Sequence, residues 1–175
     1  MKKLLLLLSL TLFLASCSDD KEYPPYNIDI EVIGDGTVIG GGEYAFGNTV
    51  TLIAEPIENS NFKFTGWYDG GSILSRLPKY VYSGNKDLRI RAIFSDDVYK
   101  CEIKYMITHQ YDYYIIKGDS FKITAWDLPS WNHYYPFLDW TIYNRDNKTE
   151  KHDRNVTLTY TPEGNSILTA SCKLF

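Results

Sequence analysis

Along this chain apolar residues recur at every second position rather than every third or fourth. Val50, Leu52 and Ala54 alternate with more polar neighbours, and so do Phe121, Ile123 and Ala125. Leu88, Ile90, Ala92 and Phe94 alternate with Arg89 and Arg91, which gives one face to a core and the other to water. A period of two is the signature of a half-buried β-strand. Asparagine, aspartate and glycine punctuate the runs at Asn48, Gly84-Asn85, Gly118-Asp119 and Gly164-Asn165, where tight turns need them. No amphipathic helical segment of useful length interrupts the pattern, so the chain is predicted to be all-β.

The runs also repeat. Gly47–Ala54, Phe64–Trp67 and Leu88–Phe94 match Gly118–Ala125, Phe137–Trp140 and Ser166–Cys172 in the same order, with separations growing from 71 to 73 to 78 residues. Strands that keep their order while the gaps between them lengthen are what loop insertions between conserved elements produce. Two tandem small β modules are therefore expected, residues 27–97 and 98–175, the second copy divergent. In both, a phenylalanine precedes a tryptophan by three positions, an odd spacing that brings both rings to one face only if the strand bulges. Gly66 suits a bulge and Asp139 tolerates one, which assigns Trp67 and Trp140 to the cores.

The combination G-N-T-V-T-L-I-A, F-x-G-W and I-R-A-I-F resembles the divergent form of the internalin B-repeat, a bacterial surface repeat. The resemblance covers residues 28–94 well, including GDGTVIGGGEYAFG, and residues 101–174 loosely, where ITHQYDYYIIKG replaces the glycine-rich stretch and Asp139 replaces the glycine before tryptophan. It implies a compact, β-grasp-related or purely β module used as a spacer or interaction unit, with no catalytic residues to carry over. If opening and closing strands are neighbours, as in β-grasp-like modules, Cys101 and Cys172 fall at inward sites of one core. A disulfide between them is then expected, the alternative being two buried free thiols.

Ahead of the modules, residues 1–17 read MKKLLLLLSLTLFLASC: two lysines, an apolar run and small residues before a cysteine. That is the pattern of a secretory signal, too short for a membrane span. Leu14-Ala15-Ser16-Cys17 resembles a bacterial lipobox, which implies acylation of Cys17 and attachment to a membrane through the lipid. Residues 18–26 continue as an acidic, proline-containing tether whose SDDKE resembles the surface-export tag of lipoproteins in the Bacteroidota. The expected location is the outer membrane, lipid-anchored, at the cell surface or alternatively on its periplasmic face.

The chain has 18 basic and 22 acidic residues, a net charge of −4, and cleavage before Cys17 removes Lys2 and Lys3 to leave −6. No basic stripe interrupts that balance, so nucleic acid is not an expected partner. A monomer is expected, with a protein or glycan partner. The stretch WDLPSWNHYYPFLDW, residues 126–140, concentrates aromatic area in the second copy. Trp126, Trp131, His133, Tyr134 and Tyr135 have no counterpart in the first copy, and Pro129 and Pro136 argue against a central strand there. These rings cover the seam between modules, present a ligand surface for stacking on sugars or anchoring a protein, or simply pack the loop. Tyr111, Tyr113 and Tyr114 lie in the hairpin of the same copy and read as strand residues.

Signals for chemistry are sparse. His109, His133 and His152 are scattered, no nucleophile elbow or His-Glu-x-x-His pair occurs, and no cysteine or histidine has zinc-like spacing. Asp139, Asp146, Glu150 and Asp153 cluster, mostly within the alternating charges of a solvated loop. The glycines at 34, 36 and 40 do not match a dinucleotide fingerprint and no helix follows, so GDGTVIGGG reads as a hairpin turn. The expectation is a non-catalytic, surface-anchored interaction or spacer lipoprotein with no cofactor and no metal. The alternative is a glycan-binding accessory lipoprotein using the 126–135 aromatics.

Overall fold

The computed structural model describes residues 23–105, 109–128 and 136–172. Residues 1–17 with Cys17, expected to be a signal segment, and Trp131, His133, Tyr134 and Tyr135 lie outside the described residues.

The first half contains β1 (Tyr26–Ile33), β2 (Gly36–Ile39), β3 (Gly42–Tyr44), β4 (Val50–Pro56), β5 (Lys63–Asp69), β6 (Ser72–Ser75), β7 (Lys79–Tyr82) and β8 (Leu88–Ser95). The second contains β9 (Val98–Tyr105), β10 (His109–Ile116), β11 (Phe121–Thr124), β12 (Phe137–Asn144), β13 (Thr149–Asp153), β14 (Thr157–Tyr160) and β15 (Ser166–Cys172). A 3-10 turn at Ala125–Asp127 follows β11. The all-β reading of the alternation is correct.

The two halves have the same plan. One five-stranded sheet runs β3-β1-β8-β5-β6 and the other β10-β9-β15-β12-β13. In each, the last strand lies beside the first and parallel to it: β8 pairs with β1 from Ile28↔Leu88 onward, and β15 with β9 from Ser166↔Cys101 onward. Facing them are smaller antiparallel sheets, β2-β4-β7 and β11-β14. Inward residues of each pair of sheets close a separate core. Leu52, Ala54, Phe64, Trp67, Ile90 and Phe94 fill the first, and Ile103, Ile123, Trp140, Ile142 and Leu168 fill the second.

Both tryptophans are fully buried, and a bulge brings phenylalanine and tryptophan to the same side in each half. Pairing of β5 with β8 shifts between Phe64 and Gly66, and pairing of β12 with β15 shifts between Phe137 and Asp139. The rings then meet, with centroids 5.3 Å apart for Phe64 and Trp67 and 5.7 Å for Phe137 and Trp140. The two bulges differ in detail: Gly66 adopts φ +154°, whereas Asp139 is not among the residues with positive φ.

Two expectations are corrected. The glycine-rich GDGTVIGGG does not form a hairpin with β1. It carries the chain to the opposite sheet, where β2 pairs with β4, and back to β3, which pairs with β1. Glycine is required because the backbone rides directly over the core: a Cβ on Gly36 would stand 2.3 Å from the Phe94 ring, and one on Gly34 would stand 2.3 Å from the Phe94 carbonyl oxygen.

The Cys101–Cys172 disulfide does not form, and both thiols are free. The parallel register sets Cys101 beside Ser166, six residues before Cys172 on β15. At roughly 3.3 Å per residue that is about 20 Å along the sheet, against the roughly 7 Å between Cα atoms that a bridge tolerates. Inward orientation was read correctly, but two inward sites at opposite ends of a strand do not meet.

At Gly66 an added Cβ would lie 3.0 Å from the Ser75 carbonyl oxygen as well as at unfavourable φ. Gly66→Ala is predicted to cost about 1–3 kcal/mol of stability, whereas Asp139→Ala at the equivalent bulge costs about 1 kcal/mol or less, the value of the side-chain hydrogen bond Asp139 makes with His152. Denaturant unfolding of the two variants followed by tryptophan fluorescence checks the difference; equal losses would contradict the bulge assignment.

Candidate functional site: a groove at the seam

The segment after β6 projects from the first half towards the second. Ser75 Oγ accepts the Leu77 amide at 3.1 Å and so fixes the turn, and the Trp67 indole N–H donates to the Leu77 carbonyl at 3.2 Å. The same local design recurs in the second half, where Asp153 Oδ1 accepts the Asn155 amide at 2.8 Å. There the Trp140 indole nitrogen is buried with no hydrogen-bond partner. The turn at Ser75–Leu77 aims Arg76 outward. Its Nη1 donates to the Thr65 carbonyl at 3.0 Å, and its guanidinium lies 5.6 Å from the centre of the Phe121 ring in the second half.

Around this contact is a groove of about 620 Å³. One wall is Ile73–Leu77; the other is Tyr113 on β10, the strand β11 and the turn residues Asp127 and Leu128. The Arg76 cation reaches the second core electrostatically. Burial pushes the Cys101 thiol up to about 12 and the Tyr113 hydroxyl above its usual value, and in both cases Arg76 opposes the shift.

Trp126 lies on the 3-10 turn that ends β11, 36% exposed, next to the groove residues Asp127 and Leu128. It is the member of the proposed aromatic set that falls among the described residues. Tyr111 and Tyr113 pack on the second core. They are hairpin residues opposite Ile103 and Cys101, as β-propensity predicts.

The acidic residues serve structure. On the outer face of the second sheet Glu102, its side chain 9% exposed, meets Arg145 at 2.8 Å, Lys100 at 3.6 Å and Lys104 at 3.7 Å. Asp146 accepts the Asn165 amide at 2.8 Å and Asp153 the turn amide already described. His152 lies between two carboxylates, its Nδ1 3.0 Å from Asp139 and its Nε2 3.3 Å from Glu150. With a carboxylate at each ring nitrogen, neither is positioned to take a proton from a nucleophile, which a general base requires. Among the described residues no group of three or more His, Cys, Asp or Glu is arranged to hold a metal ion, and no helix is long and apolar enough to cross a membrane.

A glycine-rich crossing strand, a bulged F-x-G-W and a parallel closing strand define the first half. Residues 26–97 match the divergent InlB B-repeat domain. Repeats of this family are, in general, non-catalytic surface modules. The match covers the first half, and the second half shares the strand order of its larger sheet. Searches of curated proteins and of solved structures found no significant match.

Sequence reasoning missed Arg76 and the groove. The signal was present in two places: a lone arginine between leucines, Leu74 to Leu77, and the lack in the second copy of any stretch like GDGTVIGGG, so that among the described residues β11 has no counterpart of the neighbour that β2 provides to β4.

Burial also raises the Tyr105 and Tyr160 hydroxyls. A group whose folded pKa lies above its unfolded value favours the folded state below the unfolded pKa and loses that contribution as pH rises through the folded one. For Cys101 the window is 9.0 to about 12, and the loss is about 1.4 kcal/mol per pH unit within it. Stability is predicted to fall as pH rises from about 9, less steeply in Cys101→Ala; urea midpoints measured up to pH 11 check this, and an identical slope in the variant would contradict it.

Proposed function

We propose that the chain is a lipid-anchored, non-catalytic lipoprotein of the outer membrane surface that acts as a spacer and interaction module. The observation that carries this is the join between two like modules. β8 ends at Ser95 and β9 begins at Val98, so Asp96 and Asp97 alone connect the halves. Asp97 is held at three points. Its amide donates to Ser95 Oγ at 3.2 Å, its carbonyl accepts the Lys117 amide at 3.1 Å, and its carboxylate pairs with Lys117 Nζ at 2.6 Å. A link so short and so held, reinforced by Arg76 on Phe121, favours a stiff two-module unit over two beads on a string. Stiffness is what a spacer needs, and a tether containing Pro24 and Pro25 extends it in the same sense.

The family match supports a surface module without catalysis, and the lipobox-like Leu14-Ala15-Ser16-Cys17 supports the anchor. A second reading is glycan binding, since Trp126, 36% exposed, lies on the turn that follows the groove strand β11 and indole rings stack on sugars.

Two experiments separate these readings. Cys17→Ala is predicted to release the protein from the membrane fraction, and added protease is predicted to remove the native protein from intact cells; retention of the variant or protection of the native protein would contradict the anchored, surface reading. On a glycan array, the fragment from residue 18 onward is predicted to show no signal that Trp126→Ala removes, and such a loss would favour the glycan reading.

A further inference from the structure

Two strand edges flank the seam groove. β6 is the last strand of its sheet and β11 the last of its own, and among the described residues no strand pairs with the outer edge of either. In the first half the strand equivalent to β11 is covered: β4 lies between β2 and β7. The second half builds β10 as one continuous strand along β9, so among the described residues no strand crosses over to cover β11.

The pairing of β11 fixes which of its groups face the groove. The Ala125 amide donates to the Val156 carbonyl at 3.0 Å, on the β14 side. In an antiparallel ladder the direction alternates, so Phe121 and Ile123 also bond towards β14. Lys122 and Thr124 then turn N–H and C=O towards the groove. The close approach of Thr124 Oγ1 to Thr157 Oγ1, 3.0 Å, marks Thr124↔Thr157 as the narrow, non-bonded kind of pair that this assignment requires.

The walls carry a second specification. Ile73, Leu74, Leu77, Ile123 and Leu128 offer apolar surface. Arg76 and Lys122 bring two cations to it and Asp127 one carboxylate; among the described residues Arg76 is bonded to a neutral carbonyl, Lys122 is exposed, and neither is ion-paired to a carboxylate. In a chain of net charge −4 such cations are not surplus countercharge.

We propose that the groove is a strand-addition site: it takes an extended, acidic-apolar peptide segment of a partner protein, which pairs with the β11 edge through Lys122 and Thr124 and places a carboxylate between Arg76 and Lys122. Backbone pairing supplies affinity, and the cations and apolar wall supply selection. The site deepens the interaction part of the proposed function. It is independent of the anchor, because the test uses the chain from residue 18 onward, which retains every described strand.

The probes are four capped synthetic pentapeptides: Thr-Val-Glu-Val-Thr, the same with lysine for glutamate, and two singly N-methylated forms of the first, blocked at the central residue or at its neighbour. The expected result is binding of the glutamate peptide by titration calorimetry, at least tenfold weaker binding of the lysine peptide, and a reversed preference in Lys122→Glu. Amide exchange at Lys122 and Thr124 slows on binding. One N-methyl form binds and the other does not, because only alternate amides face β11. Lys122→Pro, which removes an edge N–H at an exposed position, abolishes binding with the fold checked by near-ultraviolet circular dichroism. No binding, equal binding of both N-methyl forms, or concentration-dependent dimerisation that protects Lys122 and Thr124 without peptide would overturn the proposal. None of those outcomes touches membrane attachment through Cys17, so failure here and failure of the anchored reading are distinguishable.

Discussion

Each half is held by a pairing between its two ends. The closing strand, β8 or β15, inserts beside the opening strand, β1 or β9, and runs parallel to it. A parallel pair cannot be made by a tight turn, so everything between must already have folded back over the sheet before it forms. That requirement orders the rest: the smaller sheet has to lie across the larger, and the core seals only when the last strand arrives. Such contacts are remote in sequence, and a slow, cooperative closure is the physical consequence.

The closing strand also explains the aromatic pair. It is the bulge partner of β5 and β12, and the extra residue in each bulge turns Phe and Trp to one side, where they pack against residues of the closing strand itself. Phe64 meets Phe94 at 5.3 Å. Much of this was legible in sequence. Period-two alternation gave the inner faces of β4, β8 and β11, and the recurrence of F-x-x-W at unequal loop lengths marked Trp67 and Trp140 as core. What alternation does not encode is the partner of a strand or its register. Cys101 and Cys172 were read as inward, correctly, yet inwardness says nothing of position along the strand, and the bridge failed on that alone. GDGTVIGGG failed similarly: glycines that permit a tight turn are the same glycines that permit a backbone to lie on an aromatic ring.

Divergence of the second half is concentrated on one side. The long β9–β10 hairpin replaces the excursion made by β2 and β3, and among the described residues the smaller sheet has two strands instead of three. Arg76 of the first half and Phe121 of the second meet at that side, so the place where the second half departs from the first is the place where the halves adhere. Arg76 escaped the sequence reading because its partner is a ring in another repeat, and no spacing rule links the two.

The closing geometry has a mechanical corollary. Because the first and last strands of each half are adjacent and parallel, a pull on the two ends of a half drags those strands in opposite directions along their length. The ladder between them is loaded in shear, with its bonds sharing the force, whereas a hairpin pulled at its open end gives way one bond at a time. A chain fixed at one end and gripped at the other would therefore yield abruptly, at high force, rather than unravel.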